Sequence, residues 1–215
     1  MTEIVIAYIL AVAAAYLLGS ISSSIIITKQ FSGTDVRSQG SGNAGTTNVL
    51  RTAGKLPAIL TFAGDILKCI AAILVAMLLA YLFRLSPAAA EYIKYVAAIF
   101  CMVGHIFPLF FGFRGGKGVA SAAAAALMLD WRVFIIGIGI FILIVLVVRI
   151  VSLGSILAGA SIPITTFLFQ SMEHRPYTAV DTALIAVIAL IIIVKHRANI
   201  GRLIKGTEPR IKSRK

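Results

Sequence analysis

Val133-Phe134-Ile135-Ile136-Gly137-Ile138-Gly139-Ile140-Phe141-Ile142-Leu143-Ile144-Val145-Leu146-Val147-Val148 carries no polar side chain, and an arginine stands at each end, Arg132 before it and Arg149 after. A helix that is apolar on every face has no side to turn toward water, so it is buried in a large core or in lipid. About 20 mostly apolar residues carry a helix across the hydrocarbon layer. This run, taken with its flanks as 132–150, has that length, and it is not alone. Comparable runs lie at 4–27, 56–83, 91–111, 117–130, 153–171 and 179–196.

Composition agrees. Hydrophobic residues make up 60% of the 215, and the mean hydropathy is +1.00. A chain of this length could bury an ordinary core, but not this many long apolar runs. The expected architecture is an all-α polytopic membrane protein with about seven transmembrane helices in one integral membrane domain, 1–215. The fourth run, Gly118 to Leu129 at its centre, is short and alanine-rich. Small residues let backbones approach closely, so this segment reads as a tightly packed helix or as a half-span or re-entrant segment, which would leave six full spans. No soluble domain, low-complexity tail or internal repeat is evident. Met1 leads directly into an apolar run through Glu3 with no basic stretch, so the first helix is expected to be retained.

The net charge of +12 raises the question of nucleic acid, but the bias of Lys and Arg toward cytoplasmic loops explains most of it. With seven spans, fifteen of the twenty Lys and Arg residues fall on one side, among them Arg37, Arg51, Lys117, Arg197 and the terminal Arg210, Lys212, Arg214 and Lys215. Four fall on the other (Arg84, Lys94, Arg132, Arg175), and Lys68 lies within a span. The N-terminus is therefore expected outside and the C-terminus in the cytoplasm. Glu3, Glu91, Asp130, Glu173 and Asp181 fall on the outer side. Cys69 and Cys101 lie inside apolar runs and read as buried small hydrophobes rather than a disulfide or metal pair.

Three polar segments on the basic side could carry chemistry. The first, Gly33 to Arg51, contains Gly40-Ser41-Gly42-Asn43-Ala44-Gly45-Thr46-Thr47-Asn48 between Arg37 and Arg51. Glycines let backbone N–H groups converge on an anion. The Ser and Thr hydroxyls and the Asn amides add donors, and Arg51 adds a bidentate fork for phosphate. The segment matches G-x-G-x-x-G, but that dinucleotide motif needs a strand before it, and here a membrane helix precedes. The bland alternative is a flexible polar linker. The second segment runs from Gly104-His105 to Arg114-Gly115-Gly116-Lys117-Gly118. It resembles a phosphate-binding loop at a helix start, yet Gly118 stands where a Walker loop needs Ser or Thr, which argues against ATP hydrolysis. His105 reads first as a packing or hydrogen-bonded histidine. The third, Lys195 to Glu208, follows the last apolar run without a break and puts His196 and Asn199 on one helical face. Its alternative is a stop-transfer cluster with snorkelling arginines.

Asp65 and Lys68, one turn apart inside a span, read as a structural ion pair or as support for the site. Arg149, Ser152 and Ser155 open another span, where the hydroxyls could cap the helix or face the site.

The three segments together resemble the PlsY family of bacterial membrane acyl-phosphate:glycerol-3-phosphate acyltransferases. The resemblance rests on Gly40-Ser41-Gly42-Asn43 through Asn48 and Arg51, on Gly104-His105 through Pro108 and Gly115-Gly116-Lys117-Gly118, and on His196-Arg197, Asn199-Ile200, Arg202-Leu203, Gly206 and Glu208. The chain departs from the family pattern at Ser22-Ser23-Ser24, where Pro-Phe-Gly is usual, at Thr46 for alanine and at Arg114 for lysine.

The resemblance implies transfer of a fatty acyl group from acyl phosphate to the sn-1 hydroxyl of glycerol 3-phosphate, giving lysophosphatidic acid and phosphate. It implies a first step of phospholipid synthesis at the bacterial inner membrane, with the site on the cytoplasmic side. The substrates already carry an activated acyl group and two phosphates, so no strong enzyme nucleophile is needed. The His-x-x-x-x-Asp acyltransferase pattern is absent: Phe110, Ala179 and Gly201 stand five residues after His105, His174 and His196.

The candidate catalytic residues are His196, Asn199, Ser41, Arg51 and Lys117. Gly42, Asn43, Thr47, Asn48, Gly115, Gly116, Gly118, Ser155, Arg202 and Glu208 are candidate substrate-binding residues. No metal ligand set and no cofactor are expected; the partners are acyl phosphate, glycerol 3-phosphate and the lipid bilayer, without nucleic acid, and no oligomer seam is legible. The reading from a different class is a phosphate or organophosphate transporter, whose alternating access would need a site near the membrane midplane. A scaffold subunit would explain the helices but not the three polar segments.

Overall fold

The computed structural model describes residues 2–211. Met1 and the terminal cations Lys212, Arg214 and Lys215 counted above lie outside the described residues. Among the described residues there are ten α-helices: α1 (Thr2–Gly19), α2 (Ser23–Ser32), α3 (Thr46–Thr52), α4 (Lys55–Leu82), α5 (Pro87–Ile106), α6 (Val119–Leu129), α7 (Trp131–Val148), α8 (Val151–Met172), α9 (Thr178–Lys195) and α10 (Arg197–Ile204). Six segments of the described residues are long and apolar enough to span a membrane, counting α1 and α2 together as one. The expected seventh is α6. At 1.5 Å per residue its 11 residues reach about 16 Å, half of a hydrocarbon layer of about 30 Å.

The first apolar run is not one helix. Ser20 turns its own N–H and hydroxyl back onto the Tyr16 carbonyl, and the chain leaves helical geometry until Ser23. Serine competes with the helix ladder in this way. A hydropathy profile passes over the interruption because Ile21 and Ile25 to Ile27 keep the stretch apolar.

The chain divides into two compact units, Met1–Leu129 and Asp130–Lys215. In the first, α1 packs on α4 and α5, and α4 also packs on α6. The contact of α1 with α5 is backbone to backbone. A Cβ on Gly19 would strike the Cys101 carbonyl, and one on Gly104 would strike the Tyr16 carbonyl, which is how small residues serve helix association in lipid. One end of this unit holds the α4–α5 turn, where the Tyr8 hydroxyl donates to the Ala89 carbonyl at 2.8 Å. The opposite end holds the loops 33–45 and 107–118. A small apolar core of Ile25, Val36, Ala44, Val49 and Ala58, with Ala53 and Phe111 against it, underlies them.

In the second unit α8 packs between α7 and α9. Gly154 lies against Phe141 and Val145, and Gly159 against Ile192. At one end Arg132 pairs with Asp130 and Glu173 and lies 4.6 Å from the centre of the Phe169 ring. At the other end the close of α7, the start of α8, α10 and the C-terminal segment come together, and Ile211 N–H donates to the Arg149 carbonyl at 2.8 Å.

Candidate functional site

The first polar segment is built, not slack. Gly33 ends α2 in a left-handed cap. Asp35 then accepts the Arg37 N–H at 2.9 Å and its guanidinium at 2.8 Å. These bonds hold the Asp35 carboxyl below its ordinary value, against a smaller opposing effect of burial. The free edge of the same guanidinium donates to the Phe111 carbonyl at 2.6 Å and the Arg114 carbonyl at 3.2 Å. Arg37, which the sequence marks only as a basic residue flanking the segment, is the strap between the two loops.

Asn48 shapes the loop from within. It is buried, its amide nitrogen donates to the Val36 and Gln39 carbonyls at 3.0 and 2.9 Å, and its oxygen accepts the Ser41 N–H at 2.9 Å. Gly40 has φ +58, and a Cβ there would run into the Asn48 oxygen, so glycine meets both demands. Gly42 N–H goes to Gln39 and Gly45 N–H to Asn43. The backbone donors of Ser41, Gly42 and Gly45 are thus spent inside the loop. What the loop leaves open are side chains: Ser41 and Arg51 are exposed, Asn43 and Thr47 half-buried.

In the second segment the chain returns along the end of α5. Gly115 N–H donates to the Ile106 carbonyl and Gly116 N–H to that of His105, both at 3.1 Å. A Cβ on Gly116 would strike the His105 Nε2 and come within 2.6 Å of the Ala44 carbonyl. The bare Gly116 backbone is what lets the two glycine loops touch. Gly118, at φ +82, turns the chain over Met102 into α6. Lys117 stands half-buried between them. His105 is buried and its Nδ1 lies 2.9 Å from Lys68 Nζ. Lys68 Nζ also lies 2.8 Å from Asp65 Oδ1 and donates to the Ile21 carbonyl at 2.9 Å. The expected Asp65–Lys68 pair is present, and it has a third member in His105, hydrogen-bonded as one of the two expected readings had it, but to a partner that the sequence does not name. The signal available was three costly polar groups in apolar runs. Their 37-residue separation hid the contact.

The third segment breaks where the sequence reading ran on: α9 ends at Lys195, and His196 forms the joint to α10. His196 is buried, and its Nδ1 lies 2.8 Å from the Ile192 carbonyl oxygen. A carbonyl only accepts, so Nδ1 carries the proton and Nε2 is the acceptor nitrogen. Glu208 is the hub of the segment. Its Oε1 accepts from Ser152 Oγ and from Asn199 Nδ2, both at 2.6 Å, and its Oε2 accepts from Arg202 Nε at 2.7 Å. Burial pushes the Glu208 carboxyl up, and the bonds from Ser152, Asn199 and Arg202 outweigh it, so the group lies below its ordinary value. The Ser155 hydroxyl turns back to the Val151 carbonyl at 3.0 Å.

The structure thus brings Ser41 to Asn48 together with Gly115 to Gly118 in the first unit, and His196, Asn199, Arg202 and Glu208 with Ser152 in the second. Among the described residues no group of three or more His, Cys, Asp or Glu could hold a metal ion.

Residues 9–206 match the family model described as glycerol-3-phosphate acyltransferase. The glycerol-3-phosphate acyltransferase of Clostridioides difficile is 40% identical over 212 residues, covering 98% of each chain. That of Trichlorobacter lovleyi is 42% identical, covering 94% of this chain and 96% of its own. Among solved structures, crystal structures of PlsY (YgiH), an integral membrane glycerol 3-phosphate acyltransferase, superpose on this chain. The glycerol 3-phosphate form does so with a TM-score of 0.81 at 35% identity, covering 95% of this chain and 96% of that one. The lysophosphatidic acid form gives 0.79 at 34% identity, covering 95% of each. The match runs through both units and all three polar segments, and the chain belongs to the glycerol-3-phosphate acyltransferase family of integral membrane proteins.

Proposed function

We propose that the protein transfers a fatty acyl group from an acyl phosphate to the sn-1 hydroxyl of glycerol 3-phosphate, releasing lysophosphatidic acid and inorganic phosphate, at the cytoplasmic face of the bacterial inner membrane. Acylation of glycerol 3-phosphate follows from the family. The observation that carries it is the pair of glycine loops strapped together by Arg37 and Gly116, with the Ser41 and Arg51 side chains turned outward. A rigid polar rim above apolar helices suits a donor with a phosphate head and a long acyl chain.

The two units act as one acyltransferase domain, as the length of the family match supports. The glycerol hydroxyl attacks the acyl carbon directly, the acyl–phosphate bond breaks, and phosphate leaves with the electron pair. Ser41, Arg51 and Lys117 hold phosphate and offset charge in the transition state, with Asn43 and Thr47 beside them. Asn48 acts through the loop shape, and Gly42, Gly115, Gly116 and Gly118 through close backbone approach. His196 offers Nε2 as acceptor to the attacking hydroxyl. Asn199, Arg202 and Glu208 hold the chain around His196, and Ser155 opens α8 beside that cluster.

The test is purified protein with palmitoyl phosphate and labelled glycerol 3-phosphate, scored for labelled lysophosphatidic acid. Arg51→Ala and Lys117→Ala should each cut turnover sharply. Product formed equally well by both variants, or uptake into proteoliposomes without product, would reject the reading.

A further inference from the structure

One buried ammonium joins the approaches to both glycine loops. Lys68 Nζ reaches the Ile21 carbonyl, Asp65 Oδ1 and His105 Nδ1 within 2.8 to 2.9 Å. Ile21 lies in the interruption between α1 and α2, where its carbonyl is released from the helix ladder, and α2 leads into the first loop. His105 closes α5, and its ring and its carbonyl both back Gly116, the residue before Lys117. An ammonium has donors and no acceptor, so next to Lys68 the His105 Nδ1 must accept. That places a ring proton on Nε2, the atom against Gly116, and the same Nδ1 also lies 3.5 Å from Asp65 Oδ1. The Lys68 contact to Asp65 is an ion pair outside hydrogen-bond geometry: Asp65 Oδ1 has no hydrogen-bond partner, so the carboxylate serves as the counter-charge.

A lysine, an aspartate and a histidine inside apolar spans are costly in lipid, and a helix contact alone could be made with apolar side chains. We infer that Asp65, Lys68 and His105 are positioning residues for the acyl transfer: a charge-assisted brace that fixes Gly116 and thereby the place of Lys117 relative to the first glycine loop. The inference rests on the acyltransferase reading above. The three residues touch no substrate. They act through the loop that carries Lys117, and a misplacement of about 1 Å at a reacting group can cost a hundredfold in rate.

The test uses the full-length protein in detergent, with kcat and KM measured separately for palmitoyl phosphate and glycerol 3-phosphate. Lys68→Met and His105→Leu remove the contact. His105→Asn keeps a short side chain whose amide oxygen can still accept from Lys68. The brace predicts that both disruptive variants, purified as folded protein, lose about tenfold or more in kcat/KM, chiefly through KM for one phosphate substrate. It predicts that His105→Asn recovers most of that loss, and that Lys68→Met adds little once Lys117→Ala is present, because coupled residues are not additive.

Disruptive variants within about twofold of the wild type, or losses that multiply fully with Lys117→Ala, would overturn the brace. If Lys68→Met does not yield folded protein, His105→Leu against His105→Asn decides, and equal kinetics in those two overturn it. An inactive wild type overturns the acyltransferase reading, whereas an active wild type with unaffected variants overturns the brace alone.

Discussion

His196 Nδ1 lies 2.8 Å from the carbonyl oxygen of Ile192, one turn back on the same helix. The contact puts a proton on Nδ1, and in the neutral ring the lone pair is then on Nε2. His105, whose Nδ1 meets an ammonium, has the opposite tautomer. His196→Ala removes the acceptor, and His196→Asn offers only a shorter amide in its place. Both should lower kcat by about 10²- to 10⁴-fold, measured by product release with palmitoyl phosphate. Turnover within tenfold of the wild type would take His196 out of the chemistry.

Glu208 gathers Ser152, Asn199 and Arg202 onto one carboxylate. Glu208→Gln turns one accepting oxygen into a donor and leaves a partner unmatched, so it should lower thermal stability and activity together, more than Arg202→Gln does. The pH dependence follows from the lowered folded-state value. The stabilisation is fully present above the ordinary glutamate range. It is lost as pH falls through the lower folded value. Thermal melts on the acid side should show the wild type losing its advantage over Glu208→Gln, and parallel curves would show that the carboxylate is not the clamp.

Asn48→Ala takes one of two hydrogen bonds from each of the Val36 and Gln39 carbonyls, which keep the Gln39 and Gly42 N–H groups, and leaves the Ser41 N–H without its acceptor, a loss of about 1–3 kcal/mol for a buried donor. The first glycine loop should loosen, visible as faster amide exchange over residues 36–45 and a raised KM. Asn48→Asp keeps the acceptor for Ser41 but loses both donors, so it should rescue little. Unchanged exchange in both variants would deny Asn48 its role as the loop's organiser.

Two glycines make a controlled pair. A methyl on Gly116 meets His105 and the Ala44 carbonyl, whereas one on Gly139 meets nothing within 4 Å. Gly116→Ala should therefore abolish most activity. Gly139→Ala should keep it and gain up to about 1 kcal/mol of helix propensity. Activity assays beside melting curves check both, and a Gly116→Ala enzyme of normal rate would show that the loops need not touch.

The proposed orientation makes a labelling prediction. In intact cells, a membrane-impermeant thiol reagent should modify a cysteine placed at Ser86, in the turn between α4 and α5, and should spare one at Ser38 in the first glycine loop. The native Cys69 and Cys101 are buried and should stay silent. The reverse pattern would invert the topology.

The sequence by itself determined the helices and the three polar segments. Hydropathy accumulates along neighbouring residues, so Val133 to Val148 reads as a span whatever packs around it. Glycines beside Ser, Asn, Arg and Lys report their chemistry without coordinates. Tertiary structure decided which of those groups are spent and which are open. Asn48, a candidate substrate ligand, and Arg37, a flanking cation, are fasteners in the structure, because their partners include carbonyls at Val36, Gln39, Phe111 and Arg114. The short α6 was legible as an alanine-rich run, but the interruption at Ser20 to Ser22 and the meeting of Lys68 with His105 were invisible. A hydrogen bond joins groups by direction and distance in space, and no local average along the chain encodes which carbonyl or imidazole a side chain will find.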